Sequence, residues 1–206
     1  MKAVSAVVLA AALGASGCTH SKPRTLSPTY VRRDARRLDI AHTPMVVAPI
    51  SVDGFPGDGA IYETILAASL RVRTPGALLL QEERATLLAA GHAALTTADL
   101  AERLYAAAVR GVADFPDEQA LISDLVALAH RRSSAHRTPE LVVALRVRGL
   151  GWSGQRVRYR VTAAIYDVQR ASLHTVTSFT REARPHELIN ELGNVGLQLL
   201  PLLAAG

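Results

Sequence analysis

The chain has 206 residues, and its 49% apolar content supplies one hydrophobic core for a domain of ordinary size, which excludes disorder and collagen-like repeats. An aromatic content of 4% leaves that core to Leu, Val, Ile and Ala and argues against a nucleic-acid surface built on stacked rings. Two lysines stand against 21 arginines, an imbalance that, with the richness in alanine, reads as compositional bias as much as chemistry.

Met1 and Lys2 are followed by an uncharged stretch from Ala3 to Gly17 that ends in Gly14-Ala15-Ser16-Gly17. This is shorter than the roughly 20 residues a membrane-spanning helix needs. A basic start, a short apolar run and small residues predict a secretory signal over 1–17. Cys18 is the chain's one cysteine, so an internal disulfide is excluded. Ala15-Ser16-Gly17-Cys18 resembles the lipobox of bacterial lipoproteins, with Ala15 where that family favours Leu. The resemblance implies a diacylglyceryl group on the Cys18 thiol, cleavage before it, and acylation of the new N-terminus. Several chains on one residue hold a protein on a membrane where one does not. Thr19 after the cysteine resembles an outer-membrane address, which places the expected anchor on the periplasmic face.

Residues 18–44 read as a tether. Cleavage leaves a net charge of +4, and the segment from Thr19 to Pro44 carries all of it, because Met45 to Gly206 is formally neutral. Arg32, Arg33, Arg36 and Arg37 are the candidate contacts with anionic headgroups, each worth on the order of 1 kcal/mol near such a surface. The alternative is that these charges only keep a linker solvated. Val31, Ala35 and Leu38 recur at helical spacing within Tyr30 to Ile40.

A single domain of mixed α and β structure is expected over 45–206. Met45 to Val52 is a short apolar run closed by the turn-rich segment Asp53 to Gly59, which predicts a buried strand and a loop. Ile61, Ile65, Ala68 and Val72 then predict a helix over 60–73, and Ala77 to Gln81 a second strand. Glu82-Glu83 opens a helix to about Ala90. Thr96 with Asp99 resembles a capping box for a helix ending near Val112. Leu121, Ile122, Leu125 and Leu128 mark the next helix, followed by a polar loop from His130 to Pro139. A last helix starts at Pro185 and is interrupted or ended near Pro201.

Between these helices lies the clearest β pattern. Leu141 to Arg148, Arg156 to Val168 and Ser172 to Glu182 predict a three-strand antiparallel meander, with Gly149 to Gly154 as one turn. The fold class expected is α/β in the α+β sense: a mixed sheet of about five strands with helices packed on it. Val157, Tyr159, Val161 and Ile165 alternate with Arg156, Arg158 and Arg160, and Leu145 and Val147 with Arg146 and Arg148. A slip of one residue would bury the arginines, so the register should gather all five on one face, with Arg158 opposite Glu182 and Arg160 opposite Thr180. That face is the candidate binding surface for an anion or acidic partner. The competing reading is a solvated face whose aliphatic stems cover the sheet.

The order strand, helix, strand, helices, meander and closing helix resembles the bacterial lipoprotein superfamily that includes the curli-secretion lipoprotein and the activators of peptidoglycan synthases. Met45 to Ile50 looks like that family's opening strand, and Leu141 to Val147 and Val161 to Val168 like later ones. The resemblance implies a binding, adaptor or assembly role without catalysis, and a protein partner in the envelope or a second copy.

No cofactor or metal is indicated: the seven histidines are scattered and no second cysteine can help. His186-Glu187-Leu188-Ile189-Asn190 has Asn190 where a zinc-protease helix needs its second histidine. No nucleic-acid partner is expected. The alternative class is an envelope hydrolase or transferase whose site is assembled from His130, His136, His174 and Asp167.

Overall fold

The computed structural model of the protein describes residues 30–32, 37–89, 97–112, 115–132 and 138–204. Its strands are β1 (Tyr30–Val31), β2 (Met45–Val47), β3 (Ser51–Asp53), β4 (Leu78–Leu79), β5 (Leu141–Ser153), β6 (Arg156–Asp167) and β7 (Ser172–Ala183). Its helices are α1 (Gly59–Arg73), α2 (Arg84–Ala89), α3 (Thr97–Arg110), α4 (Pro116–Arg132) and α5 (Leu188–Ala204). The fold is α+β. One mixed sheet runs in the order β1-β7-β6-β5-β2-β4, with β3 also pairing with β5. The meander β5-β6-β7 is antiparallel, and β2, β3 and β4 add to it in parallel.

Both faces of the sheet are packed along part of its length. Val143, Leu145, Val147, Val157, Tyr159 and Val161 meet Leu66 and Leu70 of α1 and Leu192 and Leu199 of α5 in one core. On the other face Val142, Ala144, Ala164 and Tyr166 meet Leu100 and Leu104 of α3 and Leu121 and Leu125 of α4. In β6 burial therefore alternates from Arg156 to Val161 and becomes continuous from there to Tyr166. The expectation of a strand buried on one face holds for the first half only, because α3 and α4 cover the second face beyond Arg160.

Three departures from the pattern reading have local causes. The run Met45 to Val52 is two strands, β2 against Leu141–Val143 and β3 against Arg146–Arg148. Pro49, which has no N–H to give, lies between them. Ile50 is held instead by a side chain: its N–H donates to Gln81 Oε1 at 2.7 Å, and Gln81 Nε2 donates to its carbonyl at 3.0 Å. Gln81 is fixed in turn by Glu63 Oε2 at 2.8 Å, and Arg84 bridges Glu63 and the Ile50 carbonyl. Secondly, Tyr30–Val31 is a strand on β7, not the start of a helix. A β-prone pair supplies hydrogen bonds to an otherwise bare edge. Thirdly, β5 runs on through Ser153 where a turn was expected after Arg148, with a register shift between Gly149 and Gly151 that keeps it paired to β6.

Smaller differences concern helix ends. Helix α4 continues past His130 to Arg132, its basic last turn suiting the negative end of the helix dipole, and Arg132 pairs with Glu83. Helix α5 passes Pro201 and ends at Ala204, because Leu200 and Leu203 are both buried in the core. Thr96 of the expected capping box lies outside the described residues.

Candidate binding face at the hairpin end of the sheet

The register is the one required by the alternation. Arg148 stands opposite Arg160, Arg158 opposite Glu182, and Arg160 opposite Thr180. Past the bulge Gly151 faces Arg158 and Ser153 faces Arg156, so small residues flank the arginines on β5. Arg148, Arg156, Arg158 and Arg160 are exposed, and among the described residues the last three make no ion pair. Arg148 lies 3.9 Å from Asp53 Oδ1. Like charges placed directly opposite, as in Arg148 and Arg160, destabilise a sheet.

Arg146 departs from the expected face. It shares that side of the sheet, but α3 closes over it, and its side chain is only 13% exposed. Its guanidinium donates to Asp53 Oδ2 at 2.9 Å and to Asp99 Oδ1, with Glu102 Oε2 at 3.5 Å. Burial works against its charge, but the hydrogen bond to Asp53 and the charges of Glu102, Asp53 and Asp99 outweigh it and hold Arg146 above the usual arginine range. It is a joint between β3, β5 and α3, not a free cation. Asp99 and Glu102, three apart on one helix face, carried a signal for this, but the sequence did not say which strand they would meet.

The tether residues are placed unevenly. Arg32 cannot serve a headgroup: its N–H donates to the His174 carbonyl at 2.9 Å, and its guanidinium takes Ser172 Oγ at 2.7 Å and Asp167 Oδ2 at 3.4 Å. An arginine so engaged at the sheet edge pins the incoming chain. Arg37 is exposed. Cys18, Arg33 and Arg36 lie outside the described residues.

Among the described members of the scattered catalytic set, His130 does not line the cleft that His174 and Asp167 border. His130 is exposed at the end of α4, and His136 lies outside the described residues. His174 is buried, its Nδ1 2.6 Å from Thr175 Oγ1. His174 and Asp167 do border one cleft of about 280 Å³ with Arg32, Glu140 and Arg170, at the opposite end of the sheet from the arginine face. There Asp167 is taken up by Arg32, by Arg170 at 3.8 Å and by the Arg170 N–H at 3.1 Å. Among the described residues no group of three His, Cys, Asp or Glu could hold a metal ion, and no helix is long and apolar enough to cross a membrane. In the loop before α1, the Asp58 carboxylate accepts from Ala60 N at 2.9 Å and so fills the helix N-terminus itself.

Fold and site thus define an α+β domain with one exposed cationic sheet face. No family model and no curated protein matches the chain. Among solved structures it is similar to the PelC dodecamer from Paraburkholderia phytofirmans, with a TM-score of 0.42 and 13% identity over 82% of this chain and 93% of that one. A substituted form of the same dodecamer gives a TM-score of 0.42 and 14% identity over 84% and 94%. Protein XCC0632 from Xanthomonas campestris gives 0.28 and 12% over 87% and 91%. Likenesses this distant carry no argument about what the chain does.

Proposed function

We propose that the protein is a membrane-anchored envelope lipoprotein, held in the outer membrane facing the periplasm through lipid on Cys18, and that its domain is a non-enzymatic binding, adaptor or assembly module. The observation that supports this most is the arginine face. Four exposed guanidinium groups, Arg148, Arg156, Arg158 and Arg160, share one uncovered end of a sheet that is otherwise packed on both faces. A fold that keeps like charges adjacent bears a cost that a bound anionic partner removes. The resemblance of the order of elements along the chain to the curli-secretion and synthase-activator lipoproteins implies a binding role without carrying it.

The test is fractionation with lipid labelling. Wild-type chain should be recovered with membranes and take up labelled palmitate, whereas Cys18→Ser should lose the label and either remain as uncleaved precursor or leave the membrane fraction. Unchanged labelling and recovery in that variant would overturn the anchor.

A further inference from the structure

We infer that the arginine-bearing hairpin end of the sheet is a second membrane contact that docks on an anionic phospholipid surface, the one that carries the chain's own lipid anchor. This deepens the preceding reading and rests on it for the anchor at Cys18.

The direction of the chain carries the argument. In the sheet β7 rises from Ser172 toward Ala183, which pairs with Val157 beside the β5-β6 turn. Strand β1 is antiparallel to β7, with Tyr30 opposite Val176 and Val31 opposite Thr175. The chain therefore enters the sheet from the hairpin end and runs away from it. Seven residue steps along β7 take Val176 to Ala183, about 23 Å at strand rise. The twelve peptide units between Cys18 and Tyr30 can span about 40 Å at most. An anchor at Cys18 thus lies within reach of the end of the sheet that bears Arg156 and Arg158, while Arg32 pins the chain at the far end.

That end has the chemistry of a headgroup contact. Arg148 and Arg160 sit side by side, and Arg158 and Arg156 follow at two-residue steps, about 7 Å apart along the strand. Planar guanidinium groups in such a row suit phosphate oxygens, which they bind in forked pairs. Two acids are paired across the sheet from these four, Asp53 opposite Arg148 and Glu182 opposite Arg158, which leaves Arg156 and Arg160 without an acidic neighbour in the register. The hairpin tip also carries Trp152, the only tryptophan of the chain, 61% exposed, and Leu150 at the bulge is 41% exposed. Trp152 stands opposite Val157 and so projects from the other face of the hairpin than the arginines, where an edge-on approach of the tip would bring both to one surface. An exposed indole at the tip is suited to the headgroup boundary, where its ring is apolar and its N–H stays wet.

The experiment uses the full chain carrying Cys18→Ser, so that its own lipid does not bind for it. It is mixed with vesicles of phosphatidylglycerol and phosphatidylethanolamine, or of phosphatidylcholine alone, and followed by co-sedimentation and Trp152 emission. Binding with a blue shift is expected on the anionic vesicles only, falling with salt. Replacing Arg148, Arg156, Arg158 and Arg160 by Gln should weaken it at least about tenfold while the chain keeps its circular dichroism and melting profile. Replacing the exposed Arg71, Arg73, Arg110 and Arg131 by Gln removes the same charge elsewhere and should have less than about a twofold effect.

Equal loss in the two fourfold variants, no binding by the parent chain, or equal binding to neutral vesicles would overturn the membrane face. Preference for an acidic peptide such as an oligoglutamate over anionic vesicles would overturn it in favour of a protein partner. Palmitate labelling of the unsubstituted chain separates the two ideas. Label without arginine-dependent vesicle binding leaves the anchor standing and removes the face, whereas arginine-dependent binding without label does the reverse.

Discussion

A Cβ atom on Gly149 would lie 2.0 Å from the carbonyl oxygen of Gly54, and one on Gly54 would lie 2.8 Å from the carbonyl oxygen of Gly149. The two residues are in backbone contact where the loop after β3 crosses β5, at the bulge that lets the hairpin continue to its exposed tip. Gly54 also has a φ of 72°, in the left-handed region that side chains disfavour.

Gly149→Ala should therefore be severe, because the obstructing atoms are main chain and cannot rotate away. A loss of about 3 kcal/mol or more is expected in urea unfolding, at the upper end of overpacking effects. Gly76→Ala is the comparison: a Cβ there meets nothing within 4 Å, and the change should stay within about 1 kcal/mol of wild type. Equal stability of Gly149→Ala and wild type would mean that the loop and the strand are not in contact in solution.

The meander was legible because each side chain in it reports its face. Val157, Tyr159 and Val161 alternating with arginines allow one register, and Arg158 does stand opposite Glu182. What the pattern could not show was coverage from the other side. Ala144, Ala164 and Thr162 are small enough to stand on either kind of surface, and only the docking of α3 and α4 decides that they are buried. The same ambiguity hid Arg146, which has the spacing of its exposed neighbours and is distinguished only by acids from β3 and α3. The break at Pro49 was also invisible, since the hydrogen bonds that repair it come from Gln81, far along the chain. The tether misled for a simpler reason: two residues of strand leave no period to read, and Val31, Ala35 and Leu38 fit a helix by spacing alone.

Arg146 should behave as a structural joint and Arg148 as a surface charge. Arg146→Gln leaves Asp53, Asp99 and Glu102 facing one another without their shared cation. Because those acids are 30 to 43% exposed, the cost should be about 1–3 kcal/mol, below that of a fully buried pair. Arg148→Gln should cost under about 0.5 kcal/mol. In a double-mutant cycle with Asp99→Asn, Arg146→Gln should show coupling of about 1 kcal/mol, measured by chemical unfolding. Additive effects would mean that Arg146 and Asp99 do not interact and that α3 is not tied to β5 there.

Tyr159 is fully buried in the core, and among the described residues its hydroxyl has no hydrogen-bond partner. Burial and the nearby Glu191 carboxylate push its ionisation up to about 12, with Arg181 working the other way. The unfolded chain ionises tyrosine near 10, so between about pH 10 and 12 the folded state keeps a proton that the unfolded state has lost. The folded state is then the one that binds more protons, and stability falls as pH rises through that window. Below about pH 10 the contribution is fully present, and by pH 12 the loss approaches roughly 2–3 kcal/mol. Absorbance at 295 nm should show one tyrosine titrating near pH 12, and Tyr159→Phe should remove that step and flatten the decline in unfolding free energy. At pH 7 the same change should alter stability by less than about 1 kcal/mol, since it removes an unpaired hydroxyl while keeping the ring. A titration in which Tyr159→Phe leaves the step near pH 12 in place would show that the buried phenol is not the group responsible.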